Sequence, residues 1–401
     1  MDERAYYDRI DSTAADPPDL FEHFERRSVD GRVYHVLPSP SHGVEGGTVI
    51  DPTADAVVRG YPSVPRVLVL DPGLTTVFDA DESVVIEEKL NGANVRVVDL
   101  RAVAERDVTD HGERSATGTD AGGLAAEGPV ALTRSGHVCP YTTERVRDAL
   151  DLDPFFADHP EAMLCAELIG PETPYTTHDY ADVGGDAIRV FGVRDRETGR
   201  PLPVSERRER CVSYDLPQVA SFGRVEAERA AATVREVIET LDDERREGVV
   251  VKSVDGSEMV KYTTEAQHHA DLAHAFGLPF DYGQDFLFSR VIREVFQTVE
   301  FDEDAERRRA RAHALGESIL LPAADAVETV AGGGAVGTDH TVRGTPATVT
   351  ALLDHLREQS ITVEVRADDR EDGERVVRFR KRSAASTDRI AHYLDGGIVD
   401  E

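Results

Sequence analysis

Lysine is almost missing from this chain. Of 45 basic residues in 401, four are Lys, against 77 Asp plus Glu and a formal net charge of −32. Cysteine is scarce as well. Cys139, Cys165 and Cys211 are too few and too scattered for a disulfide framework or a zinc site, and they read as small buried hydrophobes. No run of about 18 apolar residues exists, so no membrane span is expected. The first residues, Met-Asp-Glu-Arg-Ala-Tyr-Tyr, lack the apolar core of a signal peptide, and the expectation is a soluble, cytoplasmic protein. The acidity is spread along the chain rather than held in one tail. Its ordinary reading is solubility. Coupled to the loss of Lys it points to a halophilic cytoplasm. At about 1 M salt the Debye length is about 3 Å, so the charge does not exclude a nucleic-acid partner.

What remains is concentrated. Three of the four lysines lie in short patches: Lys89 in Ile86-Glu-Glu-Lys-Leu-Asn-Gly92, Lys252 in Glu247-Gly-Val-Val-Val-Lys252, and Lys261 in Met259-Val-Lys-Tyr262. Arg carries charge equally well, so a retained Lys suggests a nucleophilic amine whose pKa can be lowered. Glu88-Lys89-Leu90-Asn91-Gly92 puts an amine on a tight turn where Gly lets backbone approach a phosphate, although a solvated hairpin corner has the same pattern. Arg134-Ser-Gly136 offers a guanidinium beside a turn, or a plain surface turn. Glu167 stands in an otherwise apolar strand and needs a partner: an ion pair, a ribose hydroxyl or a metal. Phe191 is a base-stacking candidate or core. Period 2 places Glu247 with Val249 and Lys252 on the opposite face, unless the strand twists or bulges.

The organisation reads as α+β. Residues 1–80 form a small module with strands at Gly31–Leu37 and Arg66–Leu70 and a turn at Asp71-Pro-Gly. Residues 81–264 are strand-rich, with Ser83–Lys89 and Ala93–Asp99 expected as a hairpin around Asn91-Gly92. Ala104–Gly128 has no periodicity and reads as a surface insertion. Ala227–Glu244 is helical. Residues 265–330 turn to helix, and Asp285–Val299 carries a broad aromatic face suited to core or to an oligomer contact. After the linker Ala331–Ala335, residues 336–401 form a small α+β unit with a hairpin turned at Asp372-Gly373. Its basic strand Arg375–Arg382 either tracks an RNA backbone or is an acid-paired edge strand.

Six patches in this order, over about 170 residues, resemble the covalent nucleotidyltransferase superfamily of polynucleotide ligases and capping enzymes. Asn91 stands where Asp is common, Gly192 where Asp often follows the aromatic, and Lys261 is single where many members have two Lys. No OB-like β-barrel follows the last Lys. The helical run from His268, together with Asn94 and Arg96, instead resembles the archaeal ATP-dependent RNA ligases that circularise RNA. That resemblance implies a nucleotidyltransferase (ATP-grasp-like ligase) core of antiparallel sheets with helices, plus an N-terminal module, a helical dimerisation segment and a C-terminal α+β domain. It implies ATP and Mg²⁺ (Mn²⁺ possible) as cofactors. Its partner is single-stranded RNA with a 5′-phosphate, and its assembly a homodimer. Lys89 would be adenylylated, with Glu167, Lys252 and Lys261 also catalytic. Glu87, Glu88, Leu90, Asn91, Gly92, Asn94, Arg96, Arg134, Phe191 and Glu247 would complete the nucleotide site, and Glu167 and Glu247 would hold metal. The rivals are a DNA ligase or capping-type nucleotidyltransferase, and a non-catalytic nucleotide- or RNA-binding protein.

Overall fold

Alternation along one strand shows how the site is built. In Ala162-Met-Leu-Cys-Ala-Glu-Leu-Ile169, the residues Leu164, Ala166 and Leu168 pack on one side and Met163, Cys165 and Glu167 on the other. One face therefore goes to the core of its own unit, while on the other Met163 and Cys165 pack in a second core and Glu167, beyond them, reaches a cavity. The computed structural model describes residues 2–29, 32–101, 128–176, 178 and 180–398, so all of the expected 104–128 insertion except Gly128 lies outside the described residues. In chain order the strands are β1 (Glu25–Val29), β2 (Arg32–Val36), β3 (Val49–Asp51), β4 (Ala56–Val58), β5 (Ser83–Lys89), β6 (Ala93–Val98), β7 (Val130–Thr133), β8 (Ala162–Ile169), β9 (Ala187–Asp195), β10 (Ser221–Glu226), β11 (Gly248–Ser253), β12 (Met259–Thr263), β13 (Gly337–Gly344), β14 (Thr362–Glu371) and β15 (Glu374–Arg382). They form four sheets, ordered β1-β2-β3-β4, β10-β5-β11-β12, β7-β6-β8-β9 and β13-β15-β14.

The two middle sheets carry the site. Behind β5 and β11, the helix Ala227–Asp243 buries Ala230, Val234, Ile238 and Leu241 against Val84, Ile86, Val249 and Val251. Behind β6 and β8, Val146, Phe155 and Phe156 cover Val95, Val97 and Leu164. Each such Val or Leu contributes roughly 1.5–3 kcal/mol of apolar burial. The N-terminal sheet closes one end of the cleft, packing Tyr34, Val36, Val58 and Tyr61 on Val98, Leu132, Met163 and Cys165.

Several expectations change. The Asn91-Gly92 corner is not a hairpin, because β5 and β6 belong to different sheets. Neither residue has the positive φ that a two-residue type I′ turn requires, and the chain crosses between sheets here. By contrast Asp372 (φ 50°) and Gly373 (φ 90°) do turn β14 into β15 as expected. Arg66–Leu70 is not a strand. Arg66 makes one parallel bridge to Lys261, and a helix, Leu70–Thr75, takes in Asp71-Pro-Gly, since Pro in a first turn has no N–H to lose. Glu300 Oε1 accepts from Leu70 N at 2.6 Å. The basic strand β15 is the centre of its sheet, and its arginines are acid-paired: Arg375 with Asp368 at 2.7 Å and Arg380 with Asp339 at 2.5 Å.

The C-terminal unit grips the strand-rich unit through the loop after β8. Thr173 O accepts from the His340 ring at 3.2 Å, Pro174 O accepts from Lys381, the fourth lysine, and the Tyr141 hydroxyl donates to Arg343 O at 3.2 Å. Burial, then Lys381, pushes the His340 pKa down to about 4. A folded-state pKa below the ordinary value of about 6.5 means the unfolded chain takes up the proton first as pH falls. Stability should therefore drop between about pH 6.5 and 4 through this residue. In urea melts His340→Asn should lose less stability than the parent over that window; parallel pH profiles would refute it.

Candidate active site

A cavity of about 490 Å³ lies between the two middle sheets, within the range of small-ligand sites. It is lined by Lys89, Leu90, Gly92 and Asn94 at the crossover, Arg134 on the loop after β7, Glu167 on β8, Phe191 on β9, and Val250, Lys252 and Lys261 on β11 and β12. Tyr61, Tyr175 and Gln359 complete the wall from outside the two sheets.

Lys89 ends β5, and its Nζ donates to Glu247 Oε2 at 2.7 Å. This pairing answers the parity conflict. Val249 and Val251 face the helical core, and strict alternation would send Glu247 there too. Gly248 intervenes at φ +147°, breaks the period, and turns Glu247 toward Lys89. A Cβ on Gly248 would lie 2.2 Å from Tyr262 O. Gly92 is required by crowding rather than by its φ, since a Cβ there would meet Leu168 O at 2.3 Å. Tyr180 Oη bridges the Asn91 backbone, accepting from its N–H at 2.6 Å, and Asn91 Nδ2 donates to Gln267 at 3.0 Å.

The two remaining cations separate. Lys252 is 5% exposed, and its ammonium is engaged by Glu87 Oε2 at 2.8 Å and the Phe191 carbonyl at 2.9 Å. Burial lowers its pKa, and Glu87 opposes that shift. Glu87 is fully buried, also meets Arg207, and lies beneath the cavity rather than lining it. Lys261 stands beside Lys89 instead, its pKa pushed down to about 8 by burial, then by Arg66 and Lys89. Burial raises the Glu167 carboxyl to about 8. A β-bulge opposite Cys165 and Ala166 leaves Phe191 unpaired and swings its ring into the cavity, edge-on to Tyr61 at 5.2 Å. Asn94 presents a buried Oδ1 with no hydrogen-bond partner. Arg134 is exposed at the rim.

Among the sequence candidates Glu87 and Arg96 do not line the cavity, and Glu88 lines it with its carboxylate turned aside. The Glu88 carboxylate turns away to Arg246 at 3.4 Å. Arg96 is fully buried under the N-terminal sheet and donates to the carbonyls of Arg59, Gly47 and Thr133 at 2.5, 2.8 and 3.0 Å. It holds the Arg134 loop from behind and does not line the cavity. The sequence reading missed Tyr61, Tyr175, Tyr180, Gln267 and Gln359. No local motif marks them, since they reach the site only through tertiary folding.

Two facing antiparallel sheets with a lysine at their crossover define a nucleotidyltransferase-type ligase. Residues 82–263 match the family described as RNA ligase, and residues 274–397 the one described as Ligase Pab1020 C-terminal region. Uncharacterized protein MJ0414 of Methanocaldococcus jannaschii is 38% identical over 369 residues, covering 89% of this chain and 86% of that protein. Two solved forms of an archaeal ATP-dependent RNA ligase align over 100% of both chains at 35% identity, with TM-scores of 0.86 and 0.85. A structure from Aquifex aeolicus, named as a DNA ligase, aligns over 94% of this chain and 97% of its own at 25% identity and a TM-score of 0.80. The chain belongs to the archaeal ATP-dependent RNA ligase family.

Gly248→Ala should cost about 1–3 kcal/mol, the scale of forced backbone strain, in a denaturant titration. Gly184→Ala, with open space around it, should cost well under half of that. Equal midpoints for the two would remove the strained turn as the device that aims Glu247.

Proposed function

We propose that this ligase joins RNA 5′-phosphate and 3′-hydroxyl ends, typically within one strand, through a lysyl-AMP and an RNA-adenylate. The observation that carries this reading is the Lys89 amine at the sheet crossover, flanked by Glu247 and Lys261 and opening into a nucleotide-sized cavity. As a neutral amine, Lys89 attacks the α-phosphorus of ATP. The N–P bond forms, the bond from the α-phosphorus to the bridging oxygen breaks, pyrophosphate leaves with the electron pair, and the surplus amine proton passes to solvent. The RNA 5′-phosphate oxygen then takes the AMP from Lys89. Finally the 3′-hydroxyl attacks the RNA 5′-phosphorus and AMP departs. Phe191 and Tyr61 supply the aromatic wall for the base, Glu167 faces the ribose, and Arg134 and Lys261 offset phosphate charge. Lys252, held by Glu87 and the Phe191 carbonyl, fixes the floor under the base.

The oxygen donors of Glu247, Glu167 and the unpartnered Asn94 Oδ1 suit a hard divalent cation such as Mg²⁺ or Mn²⁺. Bound there, the ion would neutralise phosphate charge. The acidic surface supports work at high salt. No helix among the described residues is long and apolar enough to cross a membrane.

The helix Gln284–Glu300 supports a homodimer. It buries Glu294 and Gln297 inward, while Phe288 (65%), Val295 (52%) and Val299 (68%) remain exposed outward. Leu320 and Leu321 on the helix Ala305–Ala331 are exposed too. An apolar face of this kind calls for a partner surface.

Lys89→Ala should abolish transfer of label from α-labelled ATP to the protein, and with it ring formation on 5′-phosphorylated single-stranded RNA. Label persisting in that variant would refute the assignment, and faster sealing of nicked DNA than of RNA would favour a DNA ligase. Phe288→Asp combined with Val299→Asp should halve the mass seen by sedimentation at high salt; an unchanged mass would remove the dimer surface.

A further inference from the structure

Arginines with no part in the reaction as described gather beside Lys261. Arg66 lies directly across from it, since Lys261 N donates to Pro65 O at 2.8 Å and Val67 N donates to Lys261 O at 3.2 Å. Arg290 and Arg293 come from the buried polar face of the helix Gln284–Glu300. That face is pinned where Glu294 meets the His268 ring at 2.5 Å and Gln297 donates to Thr263 O at 2.8 Å. The helix is thereby fixed to the end of β12, the strand that carries Lys261.

The acids nearby are already engaged. Glu247 holds Lys89, while Asp271 accepts from Arg290 Nε at 2.9 Å and from Gln267 Nε2 at 2.8 Å. Arg66 donates to the Thr263 hydroxyl, a neutral partner. Among the described residues Arg293 makes no ion pair, and its Nε and Nη1 are buried without a hydrogen-bond partner. Burial, then Arg66 and Arg290, presses the Arg293 pKa down to about 9, and burial also lowers that of Arg66. Cations held this close and partly desolvated destabilise one another unless an anion joins them. An exposed surface cluster would relieve itself by pointing into water. Here β12 and the pinned helix hold it in place.

Direction selects the anion. Phe191 and Lys252 occupy the floor of the cavity, with Glu87 beneath them. The cations continue from Lys89 and Lys261, which line the cavity, to Arg66, which is bridged to Lys261 just outside that lining, and then to Arg293, which lies within electrostatic reach of Arg66. A group displaced from the α-phosphorus by Lys89 moves away from that amine along this row. We propose that Arg66 and Arg293, with Lys261, form a polyphosphate site that takes the β- and γ-phosphates of ATP and the pyrophosphate released from it. The proposal rests on Lys89 as the attacking amine. It adds a second arm to the site, contributed by the N-terminal module and the helical unit.

The test separates the steps of the reaction in the full-length protein. Arg66→Ala and Arg293→Ala should each raise the KM for ATP in lysyl-AMP formation on the order of tenfold, the scale of a lost charge-assisted contact. Each should raise to a similar degree the pyrophosphate concentration that strips AMP from labelled enzyme. Sealing of pre-adenylylated RNA, which needs neither ATP nor pyrophosphate, should stay near the parent rate. Arg66→Lys should recover most of the loss. Unaltered ATP and pyrophosphate dependence overturns the proposal. So does an equal fall in sealing of pre-adenylylated RNA, which would assign the cations to RNA phosphates or to folding alone. Failure of the parent reading is distinct, because it appears as label on the Lys89→Ala protein whatever the arginine variants do.

Discussion

The 2.7 Å contact between Lys89 and Glu247 is the joint on which the site depends. Lys89 stands opposite Gly248 in the β5–β11 ladder, and Glu247 lies just outside it, so the pair closes the end of one sheet where the chain leaves for the other. Beneath it Glu87 is enclosed by Lys252 and Arg207. A buried ion cluster of this sort gives little net stability, because desolvating the charges cancels much of their attraction. Its value lies in geometry. Removing any one partner strands a charge in low dielectric, so the strand has one acceptable position. The Asn91 corner is held in the same way, by Tyr180 from one loop and Gln267 from the helical unit. Lys89, the proposed nucleophile, is thus positioned by four separate stretches of chain.

This explains which parts of the molecule were legible in the sequence. The strands β8, β11 and β15 and the helix Ala227–Asp243 follow apolar period, a local signal that survived folding. The chemical patches were legible because Lys is so rare here that each retained one stands out. What failed was non-local. Asn91-Gly92 has hairpin chemistry, yet the strands on either side pair with other partners, and pairing is decided by sequence-distant residues. Glu247 appeared on the wrong face because period 2 assumes regular φ, and Gly248 departs from it. Arg66–Leu70 has strand composition, but its only strand-like contact is a single bridge to Lys261. Arg96 entered the expected nucleotide site through the family resemblance, and a resemblance in sequence does not distinguish a residue that lines the cavity from one that braces a loop behind it.

The helix Gln284–Glu300 inverts the usual rule for a helix on a globular surface. Its inward face is polar and charged, and its outward face carries Phe288, Val295 and Val299. Read by period alone the two faces would exchange places. The inward choice is enforced by specific partners, His268, Thr263 and Arg311, which satisfy Glu294 and Gln297 almost completely. One helix therefore presents arginines toward Lys261 and an apolar surface outward, so the proposed dimer contact would adjoin the edge of the site.

The charge of the whole chain and the charge of its site have opposite signs, and distance reconciles them. A net charge of −32 spread over the surface would repel both ATP and RNA at low ionic strength. With counter-ions at about 1 M that field decays within about 3 Å, less than the width of a phosphate group. Inside the cleft, Lys89, Lys261 and Arg66 are partly shielded from those counter-ions, so their attraction is reduced far less. Salt therefore removes the long-range penalty while leaving the short-range attraction largely in place. A surface poor in Lys and rich in carboxylates is therefore compatible with a cationic active site in concentrated salt, because there the two scarcely interact.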